Sequence, residues 1–417
     1  MKPLTLWICM MLAATPAAAS TSWITAGDTA YLAIRKIQPG AKVRGSSVPS
    51  MAGAEKLHLL EVKTADLDKL GARLHKELRH CGGFMYHASE ADGRRALAMR
   101  DAVPLTSLTK PAYTITNQAI VAPMLQQMQD TRIRDTITGL AGFANRYYSS
   151  APGIAASGWL KARWTELASG RDHISIAQYA HLRFDQRSVI ATIEGSDKPN
   201  EVIVIGAHLD SINLLGTRDT TKAPGADDDA SGVAGLTEVL RVVAAAGYKP
   251  RRTIKLIAYA AEEVGLRGSQ EIAQEYKKSG TNVVGVMQLD MTNFKGSAND
   301  IYIFSDFTDE PQNQFLVKLV KAYLPTLTVG YDKCGYACSD HAAWHAQGYA
   351  ASMPFESEIK KDNPRIHTAG DTLANGGGEA AHALKFARLA AAYAVELGSE
   401  LASPGRTALK SGAAAKR

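Results

Sequence analysis

Four apolar, β-branched side chains, Val202, Ile203, Val204 and Ile205, follow one another before Gly206. An unbroken apolar run this short predicts a strand buried on both faces of a parallel sheet. Alternating or continuous apolar runs at 173–182, 188–194, 253–259, 283–289 and 300–304 predict further strands. Around them apolar residues recur at helical spacing, which predicts helices at 119–128, 155–167, 230–246, 268–279, 311–322 and 379–398. Strand and helix alternate through the core. The expected fold class is therefore α/β, a mostly parallel twisted sheet flanked by helices on both faces and preceded by a small additional segment.

The ends of the chain read differently. Lys2, the apolar run 4–14 and the small residues Ala17, Ala18 and Ala19 have the pattern of a secretory signal peptide over residues 1–19. No later stretch reaches the roughly 20 apolar residues of a membrane span. The mature protein is expected outside the cell or in a periplasm, with no membrane partner, and Cys9 lies too early in the signal run to be a lipid attachment point. Residues 20–111 hold 14 Lys and Arg against 9 Asp and Glu, whereas residues 112–403 hold 28 against 32. The basic charge of the whole chain, +6, thus belongs to its ends, and no nucleic-acid partner is expected. A basic unit at 20–111 ahead of a slightly acidic remainder predicts a pro-segment that docks on residues 112–403, inhibits them and is later removed; the alternative is a permanent small domain. Residues 103–111, with Pro104 and Pro111, read as the linker, and residues 404–417 as a loose tail.

In an oxidising compartment, Cys334 and Cys338 are close enough in sequence to close a small disulfide loop, with Gly335 easing the tight turn. Zinc binding by this pair is the weaker reading, since no second cysteine pair completes a structural site. Cys81 has no evident partner in the sequence.

Charged residues gather where the strands end. His208 and Asp210 follow the 202–205 run, and Asp227, Asp228 and Asp229 stand together just before a helix. Open α/β sheets build their sites outside the carboxyl ends of the strands. Three adjacent carboxylates repel one another unless a cation intervenes, and a helix start alone stabilises only one or two. Glu262 and Glu263 follow the 253–259 strand, Asp290 follows the next, and His367 lies in a later loop. Two histidines and several carboxylates make a mixed nitrogen and oxygen donor set suited to zinc. His341 and His345 have the spacing of a metalloprotease zinc helix, but Ala342 stands where that motif needs a glutamate, so both are read as structural or pocket-lining.

The runs AAEEVGLRGS at 260–269, QLDMTNFKG at 288–296, CGYACSDH at 334–341 and MPFESEIKKDNPRIHTAGDTL at 353–373, with 202–232, resemble the secreted bacterial leucyl aminopeptidases, two-zinc exopeptidases. The resemblance spans about residues 112–403. It implies a single α/β domain, a removable pro-segment and release of amino-terminal residues, leucine and other apolar ones preferred, from peptides with a free amino terminus. Two Zn(2+) per monomeric chain are implied, with Asp228 bridging them, His208 and Asp290 on one ion, Glu263 and His367 on the other, and Glu262 as general base. Asp210 would orient His208, and Asp229 would support the bridge. Met291, Phe304, Met353, Phe355 and Ile366, with Tyr336 on the disulfide loop, are similar to the residues of that family's apolar pocket and substrate contacts. The charged run 358–362 beside them is expected to broaden or shift the preference. Two alternatives remain at this point, a carboxypeptidase or deacylase on the same scaffold and a non-catalytic binding ectodomain.

Overall fold

A computed structural model describes residues 21–47, 56–78, 83–99 and 111–400. The expected signal peptide, most of the linker, Cys81 and the tail lie outside the described residues.

The amino-terminal segment folds on a sheet of its own. Strand β1 (Thr21–Gly27) leads into helix α1 (Asp28–Ile37), β2 (Lys42–Ser46), β3 (Leu57–Lys63), α2 (Leu67–Leu78), β4 (Met85–His87) and α3 (Glu90–Met99). The strands lie in the order β2-β3-β1-β4. Ile24, Ile34, Leu60, Leu67, Leu70, Leu74 and Phe84 form its buried core.

The larger unit begins with α4 (Gln118–Gln127), α5 (Asp130–Ala141) and α6 (Ala151–Leu167). There follow β5 (Ile174–Tyr179), β6 (Ser188–Ile193), β7 (Lys198–His208), α7 (Ala230–Ala245), β8 (Arg252–Tyr259), α8 (Arg267–Lys278) and β9 (Asn282–Gln288). The chain closes with β10 (Ile301–Phe304), α9 (Glu310–Tyr323), β11 (Val329–Asp332), α10 (His341–His345), β12 (Ala351–Ser352), β13 (Pro354–Phe355) and α11 (Ala381–Gly398). Six strands make the central sheet in the order β12-β9-β7-β8-β6-β5. The first four run parallel, β6 pairs antiparallel with β8, and β5 pairs antiparallel with β6.

The β7 run is buried on both faces, as its composition requires. Ile203 and Ile205 pack with Val239, Phe315 and Phe386 from α7, α9 and α11. Val202 and Val204, pointing the other way, pack with Ile272 of α8 and Trp344 of α10. Gly206 lets the strands close up, because a Cβ there would meet the Tyr259 ring at 2.3 Å and the Gln288 side chain at 2.6 Å. Register then aligns the strand ends: His208 faces Tyr259, and Gly206 faces Gln288. The residues that follow, Glu262 and Glu263 after β8 and Asp290 after β9, emerge beside His208 at one edge of the sheet.

Besides the amino-terminal sheet, two features of the larger unit depart from the sequence-based expectation. Helix α5 is added, its helical spacing masked by charged and polar residues, and a second sheet of order β11-β10-β13 stands beside the main one. Its strand β10 matches the run expected at 300–304, whereas β11 and β13, of four and two residues, are too short to show a period.

Candidate metal centre

The three adjacent aspartates take different partners. Asp227 accepts the main-chain N–H of Asn293 at 2.9 Å and the side-chain amide of Asn363 at 3.0 Å. Asp229 caps α7 by accepting the N–H of Gly232 at 2.9 Å, and also takes those of His208 at 2.9 Å and Met291 at 3.1 Å. It thereby ties the ends of β7 and β9 to the start of α7. Asp228, joined to Asp229 by a cis peptide bond, faces the centre.

Each oxygen of Asp228 meets a different imidazole. Oδ1 lies 2.9 Å from His208 Nε2, and Oδ2 lies 2.8 Å from His367 Nε2. Beyond them, Asp290 Oδ1 is 3.4 Å from His208 Nε2, and Glu263 Oε2 is 3.2 Å from His367 Nε2. The five side chains predicted to hold metal therefore converge as two pairs joined through Asp228, and all are buried. Glu262 lies among them, fully buried, with neither carboxylate oxygen accepting a hydrogen bond among the described residues.

The turn carrying the glutamates is held from below. Asp210 accepts the N–H of Glu262 at 2.9 Å and that of Glu263 at 3.2 Å. His208 Nδ1 lies 3.2 Å from the Asp210 carbonyl oxygen and 3.7 Å from its carboxylate. Asp210 thus meets His208 chiefly through its main chain and spends its side chain on the glutamate turn. Asp371, for which the sequence suggested no role, accepts the N–H groups of Asp227 at 3.2 Å and Asp228 at 3.1 Å. Arg146, fully buried, donates to the carbonyls of Leu209, Pro224 and Gly225 and braces the loop before the aspartates. Ala261, Met291 and His367 take left-handed backbone conformations, placing three of the non-glycine residues of that kind at this centre. Such conformations cost roughly 1–3 kcal/mol each and persist where surrounding contacts enforce them.

Burial and neighbouring charge act together on the groups of the centre. Burial pushes the Glu262 carboxyl well above its ordinary range, and burial with the neighbouring Asp228 lifts Glu263 to about 7. Burial opposes the charge on His367, yet Glu263 and Asp228 carry its pKa up to about 10. Asp228, despite burial, is held far below the ordinary carboxylate range by its two imidazoles. The donor set fits divalent metal. Asp290 and Glu262 bury carboxylate oxygens that accept no hydrogen bond among the described residues, a costly arrangement unless a cation satisfies them. Imidazole and carboxylate at such spacing are ligands that zinc takes.

Two further groupings were not foreseen. His75, on α2, stacks on His367 with ring centroids 4.2 Å apart, and its Nε2 lies 3.9 Å from Glu263 Oε2. His75, Glu263 and His367 each bring a ligand atom within 4.8 Å of the others, as do His208, Asp229 and Asp290. Asp229, however, spends both oxygens on main-chain N–H groups. A lone histidine on an amphipathic helix carries no local signal of its destination.

Met291, Phe304, Tyr336, Met353, Phe355 and Ile366 fall into one buried apolar cluster, which Tyr302 joins. Cys334 and Cys338 form a disulfide with Cα atoms 6.2 Å apart. Glu358 and Lys361 of the adjoining charged run pair with each other at 2.8 Å. His341 and His345 stand apart from both metal-capable groups. Burial lowers the His341 pKa to about 3, and its Nε2 faces the Asp306 carbonyl.

Fold and donor set together define an α/β scaffold that gathers imidazoles and carboxylates at its strand ends to hold metal ions. Known proteins narrow the class. Residues 188–393 match peptidase family M28. Leucine aminopeptidase 1 of Coccidioides posadasii is 35% identical over 297 residues, 68% of this chain and 75% of that protein. The crystal structure of the Legionella pneumophila LapA aminopeptidase superposes with a TM-score of 0.77 at 29% identity, over 92% of this chain and all of that one. LapB from the same organism gives 0.76 at 30%, over 91% of this chain and all of the other. The chain belongs to peptidase family M28.

Proposed function

We propose that this chain is an exported aminopeptidase that uses two zinc ions to remove the first residue of peptides, leucine and other apolar residues preferred. The observation that carries this reading is the placement of Asp228, whose two oxygens reach His208 and His367 on opposite sides, with Asp290 and Glu263 flanking them. His208 and Asp290 would hold one ion, Glu263 and His367 the other, and Asp228 both. When bound, the ions lower the pKa of a water molecule and polarise the scissile carbonyl.

Glu262 takes the proton from the attacking water and delivers it to the departing amine. Its placement suits it to that task, because it is fully buried and neither of its oxygens accepts a hydrogen bond among the described residues. The acceptor-rich centre favours a substrate's free ammonium. Among the described residues the buried arginines are Arg146 and Arg252, and both are engaged, Arg146 with main-chain carbonyls and Arg252 with Glu201 and Glu400. Neither is left to clamp a substrate carboxylate, so a carboxypeptidase would have to draw on a less buried cation such as Arg365, which donates to the Asn375 carbonyl. The apolar cluster of Met291, Phe304, Tyr336, Met353, Phe355 and Ile366 would receive the first side chain. Residues 20–111 would act as the inhibitory pro-segment.

Hydrolysis of Leu-4-nitroanilide by the processed protein, compared with its N-acetylated form, tests the reading. Activity on the free amine alone, abolished by chelation and restored by zinc, is expected. Equal turnover of the blocked substrate would overturn it.

A further inference from the structure

On the reading that the centre holds two metal ions, we propose that His75 is a protein ligand to the ion on the Glu263 and His367 side, so that the amino-terminal unit blocks the centre by ligation. The unit's own core is built by Leu67, Leu70 and Leu74 on one face of α2. Gly71 and His75, one turn apart, lie on a face turned to the larger unit. A Cβ on Gly71 would stand 3.7 Å from the Glu263 carbonyl, so α2 approaches the glutamate turn closely. His75 is fully buried there, 3.9 Å from the Glu263 carboxylate and stacked on His367.

The docking around it is extensive and specific. Tyr86 donates its main-chain N–H to the Gly265 carbonyl at 3.0 Å, joining β4 to the segment that follows the glutamates. Arg267 lies over the Tyr86 ring at 5.4 Å. Leu57, Met85 and Ala96 share an apolar cluster with Leu266, Phe307, Ala337 and Ala342. These contacts hold α2 in register with the centre.

Donor atoms around one zinc ion, at ~2.0–2.1 Å each, lie roughly 3–4 Å from one another. The separation of His75 from Glu263 falls in that range. With Asp228, Glu263 and His367, His75 supplies a fourth protein donor. Four protein donors close a zinc site, whereas a catalytic site keeps a position open for water or substrate. Inhibition by His75 therefore acts on the reacting position itself, and tethering through the linker keeps the imidazole at high effective concentration.

The test uses the full chain and its His75→Ala, His75→Gln and His367→Ala variants, freed of metal by chelation and confirmed folded by thermal unfolding. Each is titrated with cobalt(II), read by visible absorption, and with zinc against a competing chelator. In both His75 variants one site is expected to lose cobalt absorption and about tenfold or more in zinc affinity, with the other site unchanged and Leu-4-nitroanilide turnover by the full chain raised at least as much. A change in His75→Ala but not in His75→Gln would assign His75 to packing and overturn ligation. Unchanged titrations in both His75 variants, with one ion lost in His367→Ala, would overturn the proposal and leave the two-metal reading standing. Unchanged titrations in all three would overturn both.

Discussion

Asp210 accepts the main-chain N–H of Glu262 at 2.9 Å, so a residue after β7 fixes the turn that carries the carboxylate after β8. The same side chain takes the N–H of Glu263. Replacing it with an amide leaves one acceptor oxygen for two donors. Asp210→Asn is expected to lower kcat roughly 10- to 100-fold with zinc content retained. Steady-state kinetics with metal analysis checks this, and loss of one zinc with normal kcat per remaining site would show that its effect runs through His208.

Glu262 is proposed to hold neither ion, so its removal separates proton transfer from metal holding. Glu262→Ala is expected to bind two zinc ions and to lose about 10²- to 10⁴-fold in kcat. A near-normal rate would remove Glu262 from the mechanism.

The Cys334–Cys338 bridge closes a loop of a few residues beside the apolar cluster and carries Tyr336 into it. Loop-closure arguments put its contribution at about 2 kcal/mol. Replacing both cysteines by serine is expected to lower the denaturation midpoint accordingly and to raise KM for Leu-4-nitroanilide. An unchanged KM would detach Tyr336 from substrate binding.

His87 gives the amino-terminal unit an acid-sensitive stability. Burial lowers its pKa to about 4, against a partial opposing pull from Asp92 and a smaller push from Arg95. The unfolded chain takes up this proton first, at about 6.5. Stability is then full above about pH 6.5 and is lost as pH falls towards 4, by about 3 kcal/mol. Unfolding of the full chain followed from pH 7 to 4, with His87→Phe as comparison, checks it: a wild-type slope no steeper than that of the variant would reject the effect.

The sheet and its site were legible because their signals are local. Val202 to Ile205 announce a doubly buried strand, and His208, Glu262, Glu263 and Asp290 follow their strands directly. Register supplies the rest, since aligned strand ends bring distant residues to one edge. Asp371 escaped notice because its work is to accept two main-chain N–H groups, and an aspartate in a loop shows nothing of that. His75 escaped because its neighbours come from another folding unit. The four-stranded amino-terminal sheet escaped because the periodicity of its two seven-residue strands, β1 and β3, is interrupted by polar residues such as Thr25 and His58, both buried here.

His208, Asp228, Glu262, Glu263, Asp290 and His367 all hang from the central sheet and its loops, and none belongs to the β1 to α3 unit. Removing the β1 to α3 unit therefore takes no strand from that central sheet. If the amino-terminal unit is removed as proposed, maturation would be an unveiling: the candidate constellation already stands assembled behind that cover, and exposing it would ask for a departure, with no rebuilding.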